Sequence, residues 1–379
     1  MSFLEYRVKF APIGFAKVFY VNWGLYLLIS ACAAIGWLML YSIAGGDMQV
    51  WAGPQMKRYG VGMVMALCVT FTPIWFWRSM SGAAYAGTFV LLLVVQFFGA
   101  VGMGAQRWID LGFMRIQPSE LMKVTLVMAL ATYYDWLDDK RISRPLWVLV
   151  PVLLIVVPTV LVILQPNLGT SLMLIIAGAS VMFAAGVSLW YFAVVIGLLG
   201  GAVAGVFLTR GTPWQFLHDY QYKRIDTFLD PSTDPLGAGY NIMQAKIALG
   251  SGGWTGKGFM QGTQSRLNFL PEKQTDFIFT TLGEEFGFVG EISLLTLYAL
   301  ILLFLIWAAV QNKDRFSSLL IVGIAVNFFL YLAVNLAMVM GMAPVVGVPL
   351  PFLSYGGSAT LVLLLAFGLV QSAIVHRLR

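Results

Sequence analysis

Four stretches of this chain carry residue types that could do chemistry. The first is Gln117-Pro118-Ser119-Glu120 with Lys123 beyond it. Glu120 and Lys123 are three residues apart, so on a helix they share a face and can pair. A charged pair inside an apolar run is costly and usually functional, although a structural ion pair that locks a helix has the same spacing. Upstream, Gly104-Ala-Gln-Arg107-Trp-Ile-Asp110 adds a guanidinium beside an indole, which also reads as an interfacial anchor. The second stretch is Leu270-Pro-Glu272-Lys-Gln-Thr275-Asp276-Phe-Ile-Phe279. Asp276 stands where a polar loop gives way to an apolar run. It reads either as a helix N-cap or as a carboxylate able to accept a proton, and Glu284, Glu285 and Glu291 follow it. The third is Gln165-Pro166-Asn167-Leu-Gly169-Thr170, a tight turn by its Pro and Asn. The fourth, Pro344 through Ser358, holds three prolines that cannot continue a helix. Non-helical backbone beside apolar runs suggests a re-entrant segment lining a cavity.

What must position these residues is a set of membrane helices. Of 379 residues, 59% are hydrophobic and 11% charged, and mean hydropathy is +0.83; a soluble domain carries about 25% charged residues. Apolar runs fall at roughly 22–44, 59–77, 82–100, 118–136, 146–164, 169–186, 189–209, 277–310, 316–341 and 356–375. A span needs about 20 apolar residues, so the expectation is an all-α membrane protein of about ten spans, one polytopic domain over 1–379. The eighth run is too long for one span and should tilt, bend or lie partly in the interface. No cleaved signal peptide is expected, because Arg7, Lys9 and Lys17 are followed by no A-x-A site before a short apolar core.

Orientation follows from basic residues. With ten spans, one face of short segments holds Arg7, Lys9, Lys17, Arg78, Lys140, Arg141, Arg144, Lys313, Arg315, Arg377 and Arg379, and the other only Lys57, Arg58, Arg107 and Arg115. The positive-inside rule puts both termini in the cytoplasm and the long loop 210–276 outside. The same scatter argues against nucleic acid as a partner. Within the loop, Trp214–Leu229 mixes apolar and charged residues and could lie among headgroups, and Tyr240–Leu249 reads as a helix ending at Gly250. The Gly-rich run 250–262 would let substrate approach the backbone closely. It is not a nucleotide phosphate loop, since Ser251 and Gly258 stand where a Gly and a Ser or Thr are required. Cys32 and Cys68 lie in apolar runs, so no disulfide is expected. His218 and His376 fall on opposite sides, so neither is a zinc site.

At these motifs the chain resembles the SEDS proteins (shape, elongation, division and sporulation). The matching stretches also include Asp230-Pro231 through Tyr240, Gly250-Ser-Gly-Gly253 and Gly262-Thr-Gln-Ser265, in family order across nearly the whole chain. Gly262 through Pro271 looks like the elongation, RodA-type branch rather than the FtsW-type division branch. The resemblance implies a fold similar to GT-C glycosyltransferases, with polymerisation of lipid II into glycan strands on the outer face of the bacterial cytoplasmic (inner) membrane. It implies Asp276 as the essential carboxylate, Glu120 with Lys123 as a paired set, and a class B penicillin-binding protein, a transpeptidase, as partner within the elongation machinery. Two positions depart from the pattern: Asn167 stands where Asp is usual, and Gln274 where His is common. No catalytic or metal-binding role is therefore carried to either.

The reaction expected is removal of a proton from the acceptor 4-hydroxyl by Asp276. The oxygen then attacks the donor anomeric carbon with inversion, and undecaprenyl pyrophosphate leaves. Leaving-group charge must be met by cations; the candidates are Arg107, Lys123, Arg210, Lys246 and a divalent ion, Mg or Mn. No nucleotide cofactor is expected. The competing readings are a lipid II flippase, which also uses intramembrane charges and broken helices, and a non-catalytic scaffold for a transpeptidase.

Overall fold

The computed structural model describes residues 14–377 apart from 103–104, 111, 113–114, 213–214, 216–221, 223–225, 227–228, 231–237, 268 and 271. The expected headgroup segment Trp214–Leu229 and His218 fall largely or wholly on residues outside that set, as do Arg7 and Lys9.

Among the described residues, ten helices of 18 or more residues carry the fold: α1 Trp23–Ile43, α2 Ala52–Phe71, α3 Ile74–Phe98, α4 Pro118–Trp136, α5 Pro145–Leu164, α6 Leu168–Ala185, α7 Leu189–Leu208, then, after the shorter α8 Ala238–Ser251, α9 Ile278–Gln311, α10 Arg315–Val339 and α11 Gly357–Val375. Eight are long and apolar enough to cross a bilayer. The other two are α2, which carries Lys57 and Arg58, and α4, which carries Glu120, Lys123 and Asp135. Starts are marked as the residue types predict. Pro118 and Pro145 occupy first turns, where a missing N–H costs nothing. Asn22, Asn167 and Asp314 accept from backbone N–H groups as N-caps.

α4, α6, α10 and α11 form the buried centre, with α2 packed on α11 and α1 on α9. α7 is the opposite case, with no buried residue; in a bilayer its apolar surface is satisfied by lipid. The short connections gather on two faces. On one, Arg315 donates to the carbonyls of Leu137 and Ala185, Arg78 pairs with Asp135, and Arg377 donates to Gln311 at 2.6 Å. This basic face ties together the ends of α4, α6, α9 and α11. The opposite face carries the segment between α3 and α4, which the sequence left as a loop. Here it is a small antiparallel sheet of β1 Ala100–Gly102, β2 Ala105–Asp110 and β3 Arg115–Ile116, in order β1-β2-β3. Asp110 opposes Arg115 across the turn and pairs with it at 3.1 Å, which sets register more than stability for so exposed a pair.

The long eighth run resolves as a bend. Inside α9, Gly287 has φ 63° and ψ −163°, a conformation open essentially to glycine alone. The break frees backbone groups, and the Gly-rich loop after α8 takes them up. Lys257 and Gly258 N–H donate to the Glu284 and Glu285 carbonyls at 3.0 Å each, while Phe288 and Val289 N–H donate to the Gly253 and Trp254 carbonyls at 2.9 and 3.1 Å. A Cβ on Gly252 or Gly256 would lie 2.0 or 2.1 Å from the oxygens of Gly283 and Glu285. The glycines thus admit the chain's own broken helix, a use different from the substrate approach expected of them. The buried Glu284 closes the dock, accepting from Lys257 Nζ at 2.7 Å, Thr263 Oγ1 at 3.0 Å and the Gln264 N–H at 3.0 Å.

Candidate active site

On the face of the small sheet, a cavity of about 210 Å³ opens between β2, the starts of α4, α6 and α11, the middle of α10, and the loops 272–276 and 347–349. Four of the candidate residues line it: Arg107, Glu120, Lys123 and Asp276. Arg210 and Lys246 do not. Arg210 forms a two-point pair with Asp226 at 2.6 and 2.8 Å, and Lys246 is exposed on α8, lying over Gly341.

The broken segment before α11 lines the cavity for the reason its prolines imply: its backbone bonds little to itself, as where Ser354 N–H donates to the Leu350 carbonyl at 3.1 Å, and other elements hold the rest. Ser354 Oγ donates to the Thr275 carbonyl at 2.6 Å and accepts from Leu350 N–H at 2.8 Å. Tyr355 N–H donates to the Gln274 carbonyl at 2.8 Å. Tyr298 and Gln55 donate to the carbonyls of Pro351 and Ser354.

Asp276 stands at the foot of α9 but does not cap it. Phe277 is the N-cap residue, and no side chain caps the first turn. Among the described residues no hydrogen bond reaches the Asp276 carboxylate, which faces the cavity beside Gly347. Burial, and second the nearby Glu272 carboxylate, push its pKa up from 3.8 to about 6. A cap would have done the reverse, because N–H donors favour the ionised form. Glu272 is itself held by Gln274 Nε2 and Thr275 Oγ1, both at 3.2 Å. Gln274 therefore serves the loop geometry, where the family pattern has His.

Glu120 and Lys123 are 5% and 1% exposed, so each needs a partner. Lys123 Nζ lies 2.8 Å from Glu120 Oε1, as their spacing predicts. Tyr331 of α10 completes the set: its hydroxyl donates to Glu120 Oε2 and accepts from Lys123 Nζ. Sequence reading missed Tyr331, which sits in an apolar run. The available signal was the spacing Asn327, Tyr331, Asn335, one polar face at four-residue intervals on an otherwise apolar helix. Asn167 lines the cavity and caps α6 through Thr170 N–H at 3.4 Å. Arg107 donates to the carbonyls of Gln165, at 2.9 Å, and Pro166. It joins β2 to the α5–α6 turn, and among the described residues no carboxylate pairs with it.

Among the described residues no group of three or more His, Cys, Asp or Glu gathers to hold a metal. Glu272 and Asp276 form a carboxylate pair in the cavity, a set that suits Mg²⁺ when substrate phosphates supply further ligands.

Comparison with known proteins agrees with this architecture. Residues 22–378 match the model of the FtsW, RodA and SpoVE family, described as cell cycle proteins. The peptidoglycan glycosyltransferase MrdB of Escherichia coli K12 is 40% identical over 354 residues, 93% of this chain and 92% of that protein. Stage V sporulation protein E of Bacillus subtilis is 35% identical over 348 residues, 89% and 92% of the two chains. Among solved structures, a chain from a peptidoglycan synthase complex that coordinates polymerization and crosslinking superposes with a TM-score of 0.79 at 30% identity, covering 94% of this chain and 97% of that one. The rod shape determining protein RodA of Thermus thermophilus gives 0.71 at 27% identity, over 95% and 98%. The chain belongs to the FtsW/RodA/SpoVE family of cell cycle proteins, the SEDS family.

Proposed function

We propose that this protein is a membrane peptidoglycan glycosyltransferase that polymerises lipid II into glycan strands, with Asp276 as its general base. One observation carries the assignment of Asp276: it is a cavity-facing carboxylate, free of hydrogen bonds among the described residues, with its pKa raised to about 6. A base works best when its pKa lies near the working pH. Asp276 takes the proton of the acceptor 4-hydroxyl as that oxygen attacks the donor anomeric carbon. The C–O bond to the pyrophosphate breaks with inversion, and the electron pair leaves on the phosphate. Arg107, whose charge no carboxylate among the described residues offsets, meets the leaving charge in the cavity. The Glu120–Lys123–Tyr331 set fixes the cavity wall and presents the Lys123 ammonium to it. A divalent cation, Mg or Mn, held by Glu272 with the substrate phosphates, would supply further charge neutralisation and leave the Asp276 carboxylate to the acceptor proton.

The cavity is reached from the less basic face, so the positive-inside rule places it outside and both termini in the cytoplasm. The partner proposed is a class B penicillin-binding protein: a neighbour of this fold works in a complex that couples polymerization to crosslinking, and the bare apolar length of α7 is surface a single-span partner can reach. The test of function is purified protein supplied with lipid II. Glycan strands of increasing length are expected. Translocated but unpolymerised lipid II would make the protein a flippase, and inactivity without a transpeptidase, reversed when an inactive transpeptidase is added, would place part of the site under the partner's control.

A further inference from the structure

Arg58 lies in the second turn of α2, outside every motif that carried the site. Its guanidinium carbon sits 4.7 Å from the centre of the Tyr355 ring. It also lies 3.9 Å from where a Cβ on Gly357 would be, within van der Waals reach of that position. Tyr355 and Gly357 both line the cavity, which pins the guanidinium against the cavity wall. Its Nη1 is buried and, among the described residues, has no hydrogen-bond partner. Among the described residues no carboxylate pairs with it, whereas Lys123 is matched by Glu120.

A buried N–H of a charged group left without an acceptor is expensive, and such groups in native proteins call for an explanation such as an absent ligand or ion. The acceptor that fits a guanidinium best is a planar or tetrahedral oxyanion taken by two parallel N–H groups, and phosphate is the common case. In a membrane protein the phosphates on hand belong to lipids. We propose that Arg58 is a lipid-phosphate station beside the cavity, binding the phosphate or pyrophosphate of a membrane lipid whose headgroup reaches Tyr355 and Gly357. This rests on the proposed function in one respect: a polymerase that joins two lipid-linked chains must hold two lipid phosphates at once, and Arg107 and Arg58 are two cations that adjoin one cavity and have no carboxylate partner among the described residues.

The experiment measures binding to purified full-length protein in nanodiscs, with two probes: undecaprenyl pyrophosphate without sugar, and phosphatidylglycerol in an otherwise zwitterionic bilayer. Arg58→Gln is expected to weaken one of them roughly ten- to hundredfold, the loss of a charge-assisted contact, and Arg58→Lys to weaken it less. Loss confined to undecaprenyl pyrophosphate identifies the substrate as the source; loss confined to phosphatidylglycerol identifies the surrounding lipid. Should Arg58→Gln fail to fold, the wild-type protein supplies the answer, since the bound probe protects Arg58 from phenylglyoxal in peptide mass spectra. Unchanged binding of both probes by folded Arg58→Gln, or equal modification of Arg58 with and without them, overturns the proposal. Lipid II polymerisation by the wild type is scored separately, so a station can fail while the enzyme stands, and the reverse.

Discussion

Asn335 and Asp276 are joined through the backbone: the Asn335 Nδ2 donates to the Asp276 carbonyl at 2.9 Å and to the Val348 carbonyl at 2.8 Å. With Ser354 on Thr275 and Tyr355 on Gln274, three successive carbonyls are gripped by α10 and the proline-rich segment. The carboxylate, which makes no hydrogen bond of its own among the described residues, therefore stands on fixed backbone. Such preorganisation is what lets a base act without reorganising as the proton moves.

Asp276→Asn should leave the protein folded and inserted and lower lipid II polymerisation by about 10²–10⁴-fold, the usual effect of removing a general base. Because Asp276 does not cap α9, the loss cannot be charged to helix capping. Near wild-type polymerisation by the purified variant, judged by glycan product on gels, would remove Asp276 from the mechanism.

The raised pKa gives two signs to check. Activity requires the ionised carboxylate, so kcat/KM should fall on the acid side with a midpoint near 6 and the limb should vanish in Asp276→Asn. For stability, the folded-state pKa lies above the unfolded one, so the folded form binds more protons between 3.8 and about 6. Unfolding free energy then falls as pH rises through that window, and the cost is complete above it. Asn cannot ionise. The variant should melt higher than wild type at pH 7.5, by on the order of 2–3 kcal/mol at most, and alike at pH 3.5. A lower melting point at pH 7.5 would contradict the sign.

Much of this was legible in the sequence because bilayer constraints are coarse. Apolar runs located the ten long helices to within a few residues, apart from α2, which starts and ends six or seven residues before the run at 59–77, and α3, which starts eight residues before the run at 82–100. Glu120, Lys123 and Asp276 stood out as charges against apolar surroundings. Tyr331 and Asn335 did not, since one aromatic and one amide scarcely alter the hydropathy of α10, and only their spacing marks them. Arg58 was counted merely as a loop charge, because its partners, Tyr355 and Gly357, lie some 300 residues away in sequence. The glycines of 250–262 were read as open backbone. Nothing in their own neighbourhood revealed that Gly287 would break α9 and dock there.

That dock is testable. Gly256 has φ +77° and its added Cβ would fall 2.1 Å from the Glu285 oxygen. Gly256→Ala must move the loop off the break, releasing two donors and two acceptors. The expected cost is about 1–3 kcal/mol from strain and overpacking, read as a lower melting point and new protease cleavage in 252–262. Gly250→Ala, where a Cβ meets nothing within 4 Å, is the control and should be silent. Equal behaviour of the two variants would show that the loop does not clamp the break.

The face assignment is testable with cysteines in a background lacking Cys32 and Cys68. Gln49→Cys, exposed on the cavity side, should react with an impermeant thiol reagent in intact spheroplasts, and Lys140→Cys, on the basic face, only after lysis. The reverse pattern would invert the protein in the membrane and place the cavity in the cytoplasm.

The Glu120–Lys123 pair invites the sharpest separation of structure from chemistry. Glu120→Gln leaves the Lys123 ammonium buried beside Tyr331 and the Met173 sulfur without a carboxylate to offset it among the described residues, and breaking a buried pair costs about 3–5 kcal/mol. Lys123→Met alone strands the carboxylate to a similar degree. The double variant removes both charges and, like other buried pairs replaced by apolar or neutral groups, should recover most of the lost stability. Polymerisation should not recover with it if, as proposed, the cation of Lys123, which lines the cavity, is part of the charge presented to the leaving pyrophosphate. Thermal unfolding and lipid II turnover on the same four proteins decide the matter. If activity returns together with stability in the double variant, the pair is a structural lock, and the leaving-group charge must be met by Arg107 without it.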